Sequence, residues 1–305
     1  MRTTILHTID TTGPGGAETV FIELATRLDA RRYRNVVAIN GEGWVADELR
    51  RRGLHPHILS AGRSAFDRAY LMQLLALIRE YEVDLLQSHL FGANVYCSLA
   101  GLISRRAVVG TFHGAVDVSH SERWLKLKFA LLNLGADRLV FVSNHLQREM
   151  QARAWLHAPK LVPIYNGIDI KRFAPRRDTS LRRALGIEDA HFTVGTVGNV
   201  RPAKAYDVWL RAAALLLQRA PDYRFVIAGQ GHGALYEELL ALRAELKLEA
   251  YVHFVGFRPD TETVLNNFDA FALSSRSEGF SIATLEALGC GIPVVATRSG
   301  GPEEI

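Results

Sequence analysis

Two glutamates eight positions apart, Glu278 and Glu286, stand in the run Ser-Glu-Gly-Phe-Ser-Ile-Ala-Thr-Leu-Glu-Ala-Leu-Gly. Glu278 precedes the glycine that opens a predicted helix over 281–288, with Ser281 as the expected N-cap. The first-turn N–H groups around Gly279, Phe280, Ser281 and Ile282 can then receive an anion. Eight residues make about two helical turns, so Glu286 falls on the same general face. A carboxylate next to amide donors suits a ligand that carries both hydroxyls and phosphates.

Three further places carry groups of that kind. The run Gly198-Asn199-Val200-Arg201-Pro202-Ala203-Lys204 sets two cations just before a predicted helix, where lysine as a point charge and arginine as a fork can hold a diphosphate. Gly15 and Gly16 end a loop that follows the first predicted strand and let a ligand approach the backbone. A dinucleotide site is the rival reading there, but it wants an acid at the end of the second strand, and that position is Asn40. Gly229-Gln230-Gly231-His232-Gly233-Ala234 fits the same dinucleotide pattern on paper. Its candidate acid, Glu249, comes before the next strand instead of after it, so the run reads as a tight strand-to-helix turn. His113 ends another predicted strand.

The elements that position these residues alternate along the whole chain. Short β-branched runs at 3–10, 35–40, 57–59, 84–88, 108–113 and 138–142 are separated by helical patterns, which gives six strands of one parallel sheet. A turn-rich stretch, 166–180, with Asn166-Gly167 and Pro175, reads as a linker. The alternation then restarts, with strands at 193–198, 224–228, 252–255, 270–273 and 293–296. The expected domains are therefore 1–165 and 181–305, both Rossmann-like, joined by 166–180. Ligands of such sheets bind beyond the carboxyl ends of the strands, where all the residues above lie.

Together these motifs resemble a known family. The stretch from Glu278 to Glu286 is similar to the E-x7-E motif of retaining glycosyltransferases of the GT-B fold, family 4. The resemblance extends to Gly15-Gly16-Ala17-Glu18, Thr111-Phe112-His113-Gly114, Asn166-Gly167-Ile168-Asp169, 198–204 and 293–301, and so covers essentially all 305 residues. It implies an α/β protein of two doubly wound parallel-sheet domains facing across a cleft, with a nucleotide-sugar donor held mainly by the second. By resemblance, Glu278 contacts donor-sugar hydroxyls and Glu286 the ribose. Lys204 neutralises the departing diphosphate with help from N–H groups at 279–282. His113 approaches the sugar or acceptor from the first domain, and Gly16 passes near the phosphates or acceptor. Phe257 and Arg258 lie in the loops expected to recognise the base. The family usually has arginine where this chain has Asn199, and Arg201 is expected to take over that role. An oxocarbenium-like transition state with a diphosphate leaving group needs positive charge at the phosphates and negative charge or dipoles at the sugar, which this set supplies.

Composition narrows the class. With 48% hydrophobic and 22% charged residues, neither a disordered nor a fibrous chain is expected. Cys97 and Cys290 lack metal-type spacing, no Asp-x-Asp pair occurs, and no histidine pair sits at helical spacing, so no cofactor or metal is expected. No apolar run reaches the roughly 20 residues of a membrane span, and the first ten residues are too quickly polar for a signal peptide, so a cytoplasmic protein is expected. Charge is uneven: 22 Lys/Arg against 16 Asp/Glu up to Phe173, then 14 against 16. Basic residues cluster at Arg31, Arg32 and Arg34, at 50–52, and at Arg123, Lys126 and Lys128 among Trp124, Leu125, Leu127 and Phe129. Solvated helix faces explain them most simply. The sharper expectation is peripheral contact of the first domain with anionic membrane; nucleic acid is not expected.

The function expected is retaining, metal-independent transfer of a sugar from a nucleotide-sugar to a glycan, lipid or polysaccharide precursor. The alternatives are a nucleotide-sugar epimerase of the same architecture and a non-catalytic nucleotide-sugar-binding fragment. The run Gly300-Gly301-Pro302-Glu303-Glu304 reads as a helix start. The second domain is accordingly expected to be truncated, and a chain longer by about 60 to 80 residues to be more stable and more active.

Overall fold

The computed structural model describes residues 2–60, 67–118 and 122–305, and the chain divides into two compact units, Met1–Tyr165 and Asn166–Ile305. The first unit runs β1 (Thr3–Ile9), α1 (Gly16–Arg27), β2 (Tyr33–Ile39), α2 (Trp44–Arg51), β3 (His57–Ile58), α3 (Arg68–Glu80), β4 (Leu85–His89), α4 (Phe91–Ser104), β5 (Ala107–Phe112), α5 (Leu125–Gly135), β6 (Arg138–Phe141), α6 (Asn144–Arg153) and β7 (Leu161–Pro163). The second runs α7 (Ser180–Ala184), β8 (Phe192–Val197), α8 (Tyr206–Leu217), β9 (Tyr223–Ala228), α9 (Gly233–Glu245), β10 (Val252–Gly256), α10 (Thr261–Leu265), β11 (Ala270–Leu273), α11 (Ile282–Gly289) and β12 (Val294–Ala296).

All strand pairs are parallel, in the orders β3-β2-β1-β4-β5-β6-β7 and β10-β9-β8-β11-β12. Each order reverses once, between β1 and β4 and between β8 and β11. The carboxyl ends of those two pairs are the switch points at which open α/β sheets take ligands.

Helices on both faces explain why the strands are apolar throughout. Along β9, Val226 and Ala228 join Phe271, Leu273, Ala287 and Phe268 in one core, while Phe225 and Ile227 join Trp209, Leu210 and Leu239 in the other. In the first unit, Ile9, Val37 and Ile39 pack on Phe21 and Ile22 of α1 and on Val45 and Leu49 of α2. Side-chain caps start some helices: Asp67 accepts from the Ala69 and Tyr70 amides, and Ser143 from Leu146.

Three features differ from the sequence reading. The first sheet has a seventh strand, β7, among the described residues; at three residues with a terminal proline it carries almost no periodicity. Residues of the expected linker pack onto the second unit: Phe173 is buried in its core, Ile168 packs against that core, and α7 begins at Ser180. Ser281 stands at the N-cap position of α11 with φ +69, but its hydroxyl pairs with Thr284 Oγ1 at 2.8 Å instead of capping a backbone N–H.

Candidate active site

In the second unit the loops after β8 and β11 meet at the switch point. Lys204 closes a short 3-10 turn (Pro202–Lys204), and Ala205 leaves it at φ +49, which turns the chain sharply into α8. Lys204 Nζ donates to Glu278 Oε1 at 2.6 Å, and Ser275 Oγ donates to the same oxygen at 2.6 Å. Ser274 Oγ donates to the carbonyls of Lys204 (2.9 Å) and Ala205 (3.1 Å), and the Arg276 amide donates to Ala203 O at 2.7 Å. Side-chain exposure of only 20% for Lys204 and 11% for Glu278 sets this ion pair apart from the surface pairs of the protein.

Two glycines let these loops lie against their neighbours. A Cβ on Gly229 would fall 1.9 Å from Gly198 O, and one on Gly301 would fall 2.3 Å from Phe280 Cα. Gly229 and Gly301 are thus needed for backbone contact, as the tight-turn reading of 229–234 implies. Tyr206 Oη donates to Gly198 O at 2.7 Å and locks the loop further. Glu278 itself is held as a short strand segment, its amide donating to Ser299 O at 2.8 Å and its carbonyl accepting from Gly301 N at 3.0 Å. Gly279 and the buried Phe280 follow, and Ile282 begins α11.

Glu286 lies further along α11, 9% exposed. Burial pushes its carboxyl up to about 7, against a lowering from Arg172 and a further raising from Glu262. Arg172 comes from the former linker and pairs with Glu262 at 2.7 Å. Asn199 Oδ1 accepts the Gln230 amide at 2.9 Å and ties the β8 and β9 loops together. Arg201 is exposed, and among the described residues its guanidinium has no carboxylate partner, so it stays available to an anion. After β10, Phe257 is 40% exposed, whereas Arg258 is engaged twice by Asp260, at 2.9 and 2.7 Å.

The first unit gathers a different set at the ends of β1, β4 and β5. His113 Nε2 and His89 Nδ1 are 2.8 Å apart, so one carries the proton they share. Burial lowers His113 to about 4; burial, then His113 and His7, hold His89 well below the usual imidazole value. Gly15 caps α1, Gly16 is its first residue, and Glu18 folds back so closely that a Cβ on Gly15 would lie 2.3 Å from its Oε2. Thr11 Oγ1 donates to Glu18 Oε1 at 2.7 Å. Asp10 accepts from the Ala93 amide at 3.1 Å at the start of α4, and Asp117 from Gly114 at 2.8 Å. Burial raises Asp10 to about 6 and Asp117 to about 7. Sequence reasoning passed over Asp10, Asp117, His89 and Ser275, because no spacing links them. The glycine loop is lined by the Glu18 carboxylate.

These features converge on one family. The description Glycosyltransferase Family 4 matches residues 14–172, just over half of the chain, and Glycosyl transferases group 1 matches residues 178–305. The chain belongs to Glycosyltransferase Family 4. Over 172 residues this family member is 36% identical to a D-inositol 3-phosphate glycosyltransferase of Mycobacterium sp. (strain JLS), a match covering 54% of the chain and 38% of the relative. Over 248 residues it is 32% identical to the GDP-mannose-dependent alpha-(1-6)-phosphatidylinositol monomannoside mannosyltransferase of Mycolicibacterium smegmatis, covering 75% of the chain and 62% of the relative. Among solved structures, Anabaena HepE in complex with UDP-glucose is 26% identical with a TM-score of 0.87, over 99% of this chain and 82% of that one. The fold is the α/β, two-domain architecture of GT-B glycosyltransferases.

The basic clusters resolve into mostly local pairs. Arg50 pairs with Glu42, Arg51 with Glu48, and Arg52 with both Glu23 and Glu48. Lys128 is buried and paired with Glu122, so of the cations at 123–128 only Arg123 and Lys126 are exposed. Among the described residues, no helix is long and apolar enough to cross a membrane.

Proposed function

We propose that this family 4 protein transfers a sugar, with retention of anomeric configuration, from a nucleotide-sugar donor to a glycan, lipid or polysaccharide-precursor hydroxyl. The observation that carries the proposal is the Lys204–Glu278–Ser275 cluster at the β8/β11 switch point. Lys204 offers its charge to the leaving diphosphate, with Arg201 assisting from solvent. Glu278 accepts hydrogen bonds from donor-sugar hydroxyls and stabilises positive charge developing at the anomeric carbon. Glu286 accepts the ribose hydroxyls, and Phe257 stacks on the base. Support for such a donor comes from HepE, whose structures hold UDP and UDP-glucose. Lysine and arginine take the place a metal would have at the diphosphate, so transfer proceeds without a divalent ion or other cofactor.

The acceptor end is assigned to the first unit, where neutral His113 donates or accepts one hydrogen bond and the carboxylates of Asp10, Glu18 and Asp117 repel phosphate but bind hydroxyls. Trp124 (62% exposed), Leu127 and Leu134 on α5, with Arg123 and Lys126, form the contact with anionic membrane, at its cytoplasmic face. Calorimetry with UDP-, GDP- and ADP-sugars, then transfer assays with and without lipid and glycan acceptors in EDTA, tests the proposal. Acceptor-dependent turnover with the donor's anomeric configuration kept is expected. Donor binding without turnover would leave a binding module, and inversion or metal dependence would overturn the mechanism. Co-sedimentation with phosphatidylglycerol vesicles that is lost in Trp124→Ser/Lys126→Glu is expected; equal co-sedimentation refutes the membrane contact.

A further inference from the structure

Lys204 and Ser275 donate to one and the same carboxylate oxygen, Glu278 Oε1, both at 2.6 Å. Oε2 takes no donor among the described residues. The two donors differ in what holds them. The backbone at Lys204 is pinned by Ser274 Oγ on the Lys204 and Ala205 carbonyls, while its four-carbon stem remains flexible. Ser275 is 2% exposed, its side chain has a single rotatable bond, and its carbonyl accepts from Thr297 Oγ1 at 2.5 Å. One donor can therefore swing without moving backbone, and the other cannot. A diphosphate carries more negative charge than one carboxylate and attracts an ammonium more strongly.

We infer that Ser275 is a positioning residue: when the donor's diphosphate draws Lys204 away from Glu278, Ser275 alone keeps Oε1 fixed, so that the carboxylate meets the sugar in the same orientation. The inference rests on the donor-site reading above. It deepens that reading by dividing the site into a cation that changes partner and a hydroxyl that does not. Ser275 acts on the sugar end and leaves the nucleotide end unaffected.

The test compares the unmodified chain with Ser275→Ala and Ser275→Thr, titrated by calorimetry with UDP and UDP-glucose, with GDP and GDP-mannose, and with ADP and ADP-glucose. A hydrogen bond to a charged group corresponds to about 10- to 100-fold in affinity or rate. Ser275→Ala is expected to bind the nucleoside diphosphate within twofold of the unmodified chain. It should lose the extra affinity contributed by the sugar and about 10- to 100-fold in the rate of sugar release to water, and Ser275→Thr should restore most of both. Equal loss of nucleoside diphosphate and nucleotide-sugar affinity would make Ser275 a structural residue of the loop and overturn the inference, as would an unchanged Ser275→Ala. If the unmodified chain binds none of the six compounds, the donor-site reading falls as well, which separates the two failures. Should Ser275→Ala not fold, a crystal structure of the unmodified chain with UDP decides. Lys204 on phosphate with Ser275 still on Glu278 is expected; Lys204 still on Glu278 overturns the inference.

Discussion

Replacing Glu286 by glutamine should stabilise the protein above neutral pH. The carboxyl is 9% exposed, and burial, only partly countered by Arg172 and reinforced by Glu262, raises it from 4.5 to about 7. Below 4.5 folded and unfolded chains both hold the proton, and burial carries no ionic penalty. Between 4.5 and about 7 the folded state keeps a proton that the unfolded state has released, so stability falls as pH rises. Above about 7 the loss levels at roughly 3 kcal/mol. Glutamine cannot ionise, so Glu286→Gln should lie within about 1 kcal/mol of the parent near pH 5 and exceed it by up to roughly 3 kcal/mol at pH 8, or about 5–10 °C in melting temperature. Urea and thermal unfolding of both proteins from pH 5 to 8 measure this. The comparison isolates Glu286, because Asp10 and Asp117 contribute the same pH trend to both proteins. A difference independent of pH, or a variant less stable at pH 8, would refute the reasoning. Weaker nucleotide binding by the more stable variant is the expected functional counterpart.

Arg201→Ala should weaken nucleoside diphosphate binding by only about 2- to 5-fold, less at high salt, because the guanidinium is exposed; unchanged calorimetric affinity would remove Arg201 from the site. Gly229→Ala, with its Cβ 1.9 Å from Gly198 O, should destabilise the second unit by about 3 kcal/mol, and unfolding at parental denaturant concentration would contradict that contact. The ring signals of His89 and His113 should not titrate between pH 8 and 5 in NMR spectra, since burial holds both neutral; a midpoint near 6.5 for either would contradict the buried pair.

Much of this architecture was legible in the sequence because parallel strands buried on both faces leave dense β-branched runs, and eleven of the twelve described strands lie where such runs occur. Glu278 was legible for a different reason, standing beside Gly279 just ahead of a helix start, whereas Glu286 and Lys204 were legible through runs that resemble motifs of a known family. β7 escaped because three residues with a proline form too short a pattern. Ser275 escaped because a serine in a loop has no distinctive type or spacing; its role comes from a loop brought to it across the switch point. The pairing of Lys128 with Glu122 escaped too, since a cation six residues from an acid near a helix start looks solvated until the helix docks. Asp10, Asp117 and His89 come from separate strand ends that only the strand order brings near one another.

The central claim is that Lys204 and Glu278 form the donor's diphosphate and sugar site. Calorimetric titration of UDP, GDP and ADP into the unmodified chain and into Lys204→Gln tests it most directly. The account predicts that at least one of the three nucleotides binds the unmodified chain and binds Lys204→Gln about 10-fold or more weakly, the loss of a charge-assisted contact. Equal affinity of both proteins for that nucleotide would contradict it.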